Sequence, residues 1–581
     1  MRIGVDIGGT FTDFVVYDTE SKSVHTFKLL STPQDPADAM LTGLAKIASE
    51  GRRQIIHGST IATNALLEGK GAPTALVTTQ GFRDVLQIGR QNRPELYDWT
   101  TAPPPPLVPR AWRHEVEERV NYKGETITPL DTSSLPALAG ELTSAGIESV
   151  AVCLLFSFLA PEHEEAIQSA LEDAGLFVSI SSQVLPTFRE YERTSTTAAN
   201  AYVSPVMGRY LAALETGLPE DDVHIMQSNG GSISPAAARR QAVRCILSGP
   251  AGGAVGAQAI SQQAGFEKLL TFDMGGTSTD VALIDGGLQV TTEAEVGGYP
   301  IGIPMINIHT VGSGGGSIAR VDSGGALRVG PESAGADPGP ACYGRGDDPT
   351  VTDSHLVLGR LVPEYFLGGE MLLDTDAAHR AIEALSRQLG LGVEEAALGI
   401  VQVANAHMER ALRVISVERG KDPREFILLS FGGAGGLHAA DLARGLSIPQ
   451  VLIPPQAATF SAFGMIMADV IKDYSQTVML PGTTPLQQVN QQLTKMKSAA
   501  VRDLSTEGIA REDILLEPAL DLRYAGQSFE LTIPFTRQVI EQFHQAHQAN
   551  YGYANLRASV EIVNLRLKAT GRAPSPELLP R

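Results

Sequence analysis

The eight residues Asp6-Ile-Gly-Gly-Thr-Phe-Thr-Asp13 return later in the chain as Asp273-Met-Gly-Gly-Thr-Ser-Thr-Asp280, matching at six of eight positions. Each copy follows an apolar run (Ile3 to Val5, Leu269 to Phe272) and precedes another (Phe14 to Tyr17, Val281 to Ile284). The pattern predicts a strand, a glycine turn and a second strand, twice over. A glycine pair allows positive φ and lets backbone N–H groups reach a ligand with no Cβ in the way. Successive N–H groups in such a turn make a nest for phosphate oxygens. Gly8, Gly9, Gly275 and Gly276 are therefore candidates to grip phosphate, with the hydroxyls of Thr10, Thr12, Thr277 and Thr279 in support. Asp6 and Asp273 stand at strand ends, where a carboxylate holds Mg²⁺ through retained waters. Asp13 and Asp280 read as structural partners of the turns. A plain hairpin would also use Asp and Gly, but it has no need of the flanking Thr and Asp in both copies.

These motifs must be carried by a large α/β framework. At 581 residues the chain has room for about three or four domains. Its hydrophobic fraction of 43% supports sizeable cores. A net charge of −20 argues against a nucleic-acid partner, which needs a basic face. An anionic nucleotide remains compatible, held by backbone dipoles and a cation. Cys153, Cys245 and Cys342 are far apart, which fits a reducing cytoplasm better than a disulfide framework. No apolar run approaches the ~20 residues of a membrane span.

Further elements follow the alternation of strand and helix. Gln54-Ile-Ile-His-Gly58 reads as strand and turn, with Ser59 to Glu68 as a helix. The tract from Thr101 to Pro109, with four consecutive prolines, reads as a surface excursion. Glu192 to Leu214 reads as a helix kinked or ended by Pro205. Ser248-Gly-Pro-Ala-Gly-Gly253 opens a small-residue helix through Ala264, suited to a hinge or to a tight core. Residues 297–346 are too rich in Pro, Tyr and β-branched punctuation for a flexible linker and read as ordered loops around a ligand. Ala396 to Arg419 is amphipathic and is stopped by Gly420. After the strand Phe426 to Ser430, the loop Gly432, Gly433, Ala434, Gly435 and Gly436 leads into a helix, a place for an adenosine.

Together these motifs resemble the actin, hexokinase and heat-shock-chaperone ATPase superfamily. The fold this implies is α/β: duplicated actin-like (ribonuclease H-like) ATPase domains facing a nucleotide cleft, plus a small C-terminal α+β region. The expected division is 1–200 with the first phosphate motif, 201–474 with the second phosphate and adenosine motifs, and 475–581. Stretches such as His57-Gly-Ser-Thr-Ile-Ala-Thr-Asn-Ala65, Arg189-Glu-Tyr-Glu-Arg193, Gly335 to Gly344 and Phe431 to His438 narrow the match. The chain is similar to the A-type (ATPase) subunit of the hydantoinase/oxoprolinase family, relatives of ketone carboxylase β subunits. Gly436 departs from the family loop, which usually has proline there, and Ser59 replaces a usual threonine.

The resemblance implies ATP and Mg²⁺ as cofactors and a cyclic amide as substrate. A hydantoin, 5-oxoproline or related lactam would be opened by phosphoryl transfer to its carbonyl oxygen. It also implies a B-type hydantoinase subunit as partner in a hetero-oligomer, with a ketone carboxylase or a nucleotide-switched scaffold as alternatives. Asp6, Asp273, Thr10 and Thr277 would carry the catalysis, with Asp6 and Asp273 at the metal. Gly432, Gly433, Gly435 and Gly436 would hold adenosine. His57, Ser59 and Thr60 are candidates for the substrate side, His57 alternatively being a core histidine. Asp337, Cys342 and Asp353 are weaker candidates on the glycine-rich loops.

Overall fold

The computed structural model describes residues 1–32, 35–48, 51–92, 97, 104–573 and 576; residues 101–103 of the proline tract lie outside that set. The strands Arg2–Ile7 and Phe11–Tyr17 form an antiparallel hairpin. Their apolar side chains are buried on both faces, with Ile3, Val5, Phe14 and Val15 wholly inaccessible, as in a sheet covered by a layer on each side. Val24–Leu30 adds to the hairpin antiparallel, and Gln54–Ser59 and Asp222–Met226 follow in parallel on the other side.

This sheet grows to ten strands by running through Ser232–Ile233, Val470–Pro481, Val560–Gly571, Ile514–Tyr524 and Leu531–Pro534. The boundaries expected at 200 and 474 therefore do not divide it: all three sequence segments supply strands. Strand partnership across such long connections leaves no local signal in the sequence.

A second sheet repeats the plan with five strands, in the order Ile308–Val311, Thr279–Asp285, Lys268–Met274, Ile427–Phe431, Val451–Leu452. Again a hairpin gains an antiparallel strand on one side and a parallel one on the other. A four-stranded parallel sheet, with order Phe177–Ile180, Ser149–Cys153, Thr74–Thr79, Arg113–Val116, is inserted into the first half. The helix Glu190–Gly217 that follows is assigned without a break through Pro205, where the sequence predicts a kink or an end.

Two helices lie between the halves. Ser248–Ala264 begins and ends where the sequence predicts, and Phe460–Ile466 crosses it. A Cβ on Gly464 would sit 1.8 Å from the Gly252 carbonyl oxygen, and one on Gly252 would sit 2.8 Å from that of Ser461. Only glycine permits so close a crossing. The amphipathic helix runs Val393–Ile415 and buries Ile400, Ala404, Met408 and Leu412; Gly420, at φ 70°, ends the short turn after it. Among the described residues no helix is long and apolar enough to cross a membrane.

Candidate functional site

The two glycine hairpins have the same local geometry. Asp6 lies opposite Asp13 across the first, and Asp273 opposite Asp280 across the second. Gly8 N–H donates to the Phe11 carbonyl at 2.9 Å, and Gly275 N–H to that of Ser278 at 3.0 Å. None of the four glycines takes a left-handed conformation, contrary to the expectation that the turns need positive φ. Their use is the missing Cβ. A Cβ on Gly276 would lie 3.1 Å from Thr10 Oγ1, so the tips of the two turns meet across one crevice.

Asp6, Asp13, Asp273 and Asp280 are each half-buried, touching solvent at the crevice but enclosed by protein elsewhere. Burial, then the charges of Asp13 and Asp273, drives the Asp6 carboxyl well above its ordinary range. Burial and Asp280 push Asp273 up to about 7, against the opposing hydrogen bond from Ser461 Oγ at 3.2 Å. Burial raises Asp280 to about 6, opposed by the Thr310 hydroxyl. Asp13 is also raised by burial, with Lys28 Nζ at 2.7 Å countering. One ammonium thus faces four carboxylates, an imbalance that a bound cation would relieve. Among the described residues no group of three His, Cys, Asp or Glu side chains is arranged as a metal cage. The donor set fits Mg²⁺, which takes one or two carboxylates and fills its shell with water and phosphate oxygens.

The third glycine loop closes on the second hairpin. Gly432, at φ 81°, comes so near that a Cβ would sit 2.4 Å from Asp273 Oδ1 and from the Met274 carbonyl oxygen. Ala434 N–H donates to that same carbonyl at 3.0 Å. Gly433 and Gly436 are exposed, with nothing within 4 Å of a notional Cβ, and Gly435 is packed against Ser430 and Phe272. The open face of the loop is therefore available to a nucleoside.

Several expected site residues are placed elsewhere. Thr12 and Thr279 are wholly buried; the Thr12 hydroxyl meets Ser31 Oγ at 3.1 Å and Thr279 Oγ1 donates to the Ser313 carbonyl at 2.6 Å. Their hydroxyls brace the hairpins from behind, leaving Thr10 and the exposed Thr277 at the tips. His57 is wholly buried between the Val5 carbonyl at 3.2 Å and the Tyr210 hydroxyl at 2.5 Å, and burial lowers its pKa to about 4. With both ring nitrogens engaged it has no edge to offer a substrate, so the core-histidine reading holds. Ser59 is buried and caps Ile61 N–H at 3.1 Å, while Thr60 remains partly open. Asp353 is buried in a capping box with Thr350 and accepts from Ala341 and Cys342 N–H; burial and Asp353 push the Cys342 thiol up, away from a reactive thiolate. Asp337 is exposed, 3.6 Å from Arg345. Asp13 pairs with Lys28 and Asp280 accepts from the Thr310 hydroxyl; among the described residues neither accepts from a turn N–H group.

Lys28 and Ser461 carry no mark in the sequence, whereas the run Gly314 to Gly316 falls in the stretch expected to form ordered loops around a ligand. Gly315 N–H donates to Gly275 O at 3.0 Å and Gly316 N–H to Gly276 O at 2.7 Å, holding the second turn by its backbone. A cavity of about 2010 Å³ lies away from the hairpins, walled in part by Gln227, Arg244, Asp473 and Arg523. Of its walls, Gln227 follows the strand Asp222–Met226, which runs parallel to Gln54–Ser59, and so stands at the same carboxyl edge as Asp6.

Two facing hairpins, crossed glycine helices and a third glycine loop closing on the second hairpin define a duplicated actin-like α/β fold. The chain belongs to the hydantoinase/oxoprolinase family: the family's N-terminal region matches residues 2–175 and its hydantoinase/oxoprolinase region residues 193–474. It is 38% identical to caprolactamase subunit alpha of Pseudomonas jessenii, over 99% of this chain and 88% of that one. The crystal structure of the ATP-dependent caprolactamase from that organism superposes with TM-score 0.86 at 37% identity, covering 100% of this chain and 89% of the other. Nucleotide-free acetone carboxylase superposes with TM-score 0.84 at 27% identity, covering 100% and 88%. The 5-oxoprolinase of Saccharomyces cerevisiae is 34% identical over 99% of this chain, which spans only 50% of that enzyme.

Proposed function

We propose that this chain is the ATP-hydrolysing component of a two-component enzyme that opens a cyclic amide. The observation that carries the reading is the meeting of the two hairpins, each bringing an aspartate to one crevice. Likeness along the whole chain to an ATP-dependent caprolactamase supports it.

Resonance gives the amide C–N bond double-bond character and makes an unstrained lactam resist water. In the proposed reaction the lactam carbonyl oxygen attacks the γ-phosphorus of ATP, and the bond to ADP breaks. The resulting imidate phosphate is electrophilic at carbon; one water adds there and the C–N bond opens to leave a free amine and an acyl phosphate, which a second water cleaves to the carboxylate and inorganic phosphate. The protein's task in such a transfer is positioning and charge stabilisation. The backbone of Gly8, Gly9, Gly275 and Gly276 would hold phosphate oxygens, with Thr10 and Thr277 at the tips. Asp6 and Asp273 would hold Mg²⁺, which would supply charge neutralisation to the bound phosphates. Gly433 and Gly436 would leave room for the nucleoside. Thr60, at the carboxyl edge beside Asp6, would face the lactam. A B-type subunit in the cytoplasm is the proposed partner, in keeping with the relative's designation as an alpha subunit.

The test is ATP hydrolysis by the purified chain with its partner, with and without caprolactam, hydantoin or 5-oxoproline. Stimulation by one of these supports the reading; turnover indifferent to all three overturns it. Ketone carboxylation is a second reading, favoured by the superposition on acetone carboxylase. It requires ATP hydrolysis that depends on bicarbonate and a ketone.

A further inference from the structure

Behind the nucleoside loop lies a chain of buried polar groups that neither hairpin uses. His438 ends the loop, in the turn after Gly435, and is wholly buried. Its Nδ1 lies 2.6 Å from Asn405 Oδ1 on the helix Val393–Ile415. Its Nε2 lies 3.0 Å from Nε2 of His355, itself 1% exposed, on the helix Val351–Val357. The two rings meet edge to face at 84°.

The protons in this chain have one consistent order. An amide oxygen only accepts, so His438 Nδ1 carries hydrogen and donates to Asn405. The Nε2 of neutral His438 is then a lone pair, and it is His355 Nε2 that donates. His355 Nδ1 is left as a buried lone pair without a hydrogen-bond partner. Burial favours the neutral form of both rings, lowering His355 to about 3 and His438 to about 4. A further proton on His438 would set two N–H groups against each other.

The helix that carries His355 is also tied to the phosphate side. One turn earlier, Thr352 donates through both N–H and Oγ1 to the Gly315 carbonyl, each at 2.8 Å. Gly315 in turn holds the second phosphate turn through its N–H to Gly275. One short helix thus touches the loop behind the phosphates at one end and the nucleoside loop at the other. The sequence places nothing catalytic at His355, yet a buried donor between two ligand loops is costly to keep for packing alone.

We infer that His355 is a positioning residue for the nucleotide. By donating to His438 it fixes the glycine loop at a set separation from the second phosphate turn, so that nucleoside and phosphates are gripped together. This rests on the reading of the crevice as a nucleotide site. Buried hydrogen bonds of this kind matter chiefly through the unsatisfied group their loss leaves behind.

The test follows the ATP concentration needed for half-maximal thermal stabilisation by ATP with Mg²⁺, with tripolyphosphate and Mg²⁺ as the control. His355→Leu should raise the ATP midpoint by about tenfold, the effect of one lost buried polar contact. The tripolyphosphate midpoint should change by no more than about twofold, because the hairpins themselves are untouched. His355→Gln, which keeps an N–H donor in nearly the same place, should restore ATP binding. If His355→Leu does not melt cooperatively, Asn405→Ala breaks the other end of the chain and carries the same expectation.

In the wild-type protein, ¹⁵N NMR at neutral pH should show one buried imidazole protonated at Nδ1 and its neighbour at Nε2. ATP midpoints unchanged in both the leucine and alanine variants would overturn the inference, as would two imidazoles in the same tautomer. A wild-type protein that shifts with neither ATP nor tripolyphosphate would overturn the nucleotide reading itself, and this inference with it.

Discussion

The two glycine hairpins share a sequence, a turn and a burial pattern, yet they are braced in different ways. In the first, the trailing Asp13 faces Lys28 on the neighbouring strand; in the second, the equivalent Asp280 faces Thr310 at the same register position. The first turn is tied back by a side chain, Ser31 Oγ donating to the Gly8 carbonyl at 2.8 Å, and by one backbone bond, Ser31 N–H to the Thr10 carbonyl at 3.0 Å. The second is tied by backbone, through Gly315 and Gly316, and its leading carboxylate also receives Ser461. Backbone ties leave no rotamer to lose, so the second hairpin, with two of them against one, is the more firmly fixed half of the clamp. The first carries Lys28, among the described residues the one ammonium ion-paired with these four carboxylates, and is the half whose charge can be tuned.

The largest expected effect tests whether the two halves are equivalent where it matters. Asp6→Ala and Asp273→Ala should each lower substrate-dependent ATP turnover by about 100-fold or more, the scale of losing a group aimed at developing charge. Steady-state kinetics on folded variants measures this. Near-normal turnover in either variant would remove that aspartate from the metal role. Next in size comes Gly314→Ala, whose Cβ would lie 2.6 Å from the Gly276 carbonyl carbon and 2.7 Å from Thr277 N. Backbone cannot yield as a side chain can, so the second turn must shift. ATP affinity should fall by about tenfold or more, judged by the sensitivity of catalysis to small misplacements. Ser31→Ala, the corresponding change in the first hairpin, removes two side-chain hydrogen bonds, to the Gly8 carbonyl and with the Thr12 hydroxyl, and should cost about 1–2 kcal/mol of stability. Equal losses from the two variants would erase the proposed asymmetry.

Much of this arrangement is legible in the residues. Glycine turns between apolar runs announce the hairpins, and Gly265 marks the end of the helix Ser248–Ala264 with a left-handed conformation at φ 74°. The misplacement of Thr12 and Thr279 was avoidable. Strand alternation gives Thr12 the parity of Phe14 and Val16, and Thr279 that of Val281 and Leu283, all core residues. Asp13 and Asp280 take the opposite parity. Lys28 and Ser461 could not be found this way, because the register of a third strand and the crossing of two helices are set by tertiary packing. The same holds for the ten-stranded sheet, whose members come from opposite ends of the chain.

Charge gives a further, smaller way to probe the clamp. A carboxylate whose pKa is raised on folding holds its proton more tightly when folded, so its contribution to stability falls as pH rises through that window. For Asp273, raised from 3.8 to about 7, and Asp280, raised to about 6, the loss runs from about pH 4 to pH 7. His57 acts in the opposite sense: with a folded pKa of about 4 against 6.5, it costs stability as pH falls below 6.5. A divalent cation displaces the carboxylate protons, so Mg²⁺ with ATP should stabilise more at pH 8 than at pH 6. Apparent Mg²⁺ affinity should weaken by up to about tenfold per pH unit below 7, as expected when one proton competes. Thermal-shift titrations across this range measure it; a pH-independent affinity would place the cation away from Asp273.

The smallest effect separates hydroxyls that brace from hydroxyls that bind. Thr279→Val keeps the shape of a wholly buried side chain but removes its bond to the Ser313 carbonyl. It should cost about 1–2 kcal/mol of stability by leaving that acceptor unsatisfied. Because the hydroxyl points away from the crevice, KM for ATP should stay within about twofold of wild type. Thr277→Val does the reverse: at an exposed tip it should leave stability within about 0.5 kcal/mol and raise KM. The Thr12→Val and Thr10→Val pair repeats the comparison in the first hairpin, where Thr12 donates to Ser31 Oγ, whose own hydrogen goes to the Gly8 carbonyl. Ser31 keeps that bond when the Thr12 hydroxyl is lost, so Thr12→Val should be the milder of the two bracing changes. If instead Thr279→Val raises KM while melting like wild type, its hydroxyl reaches phosphate after all, and the parity argument fails for the second hairpin.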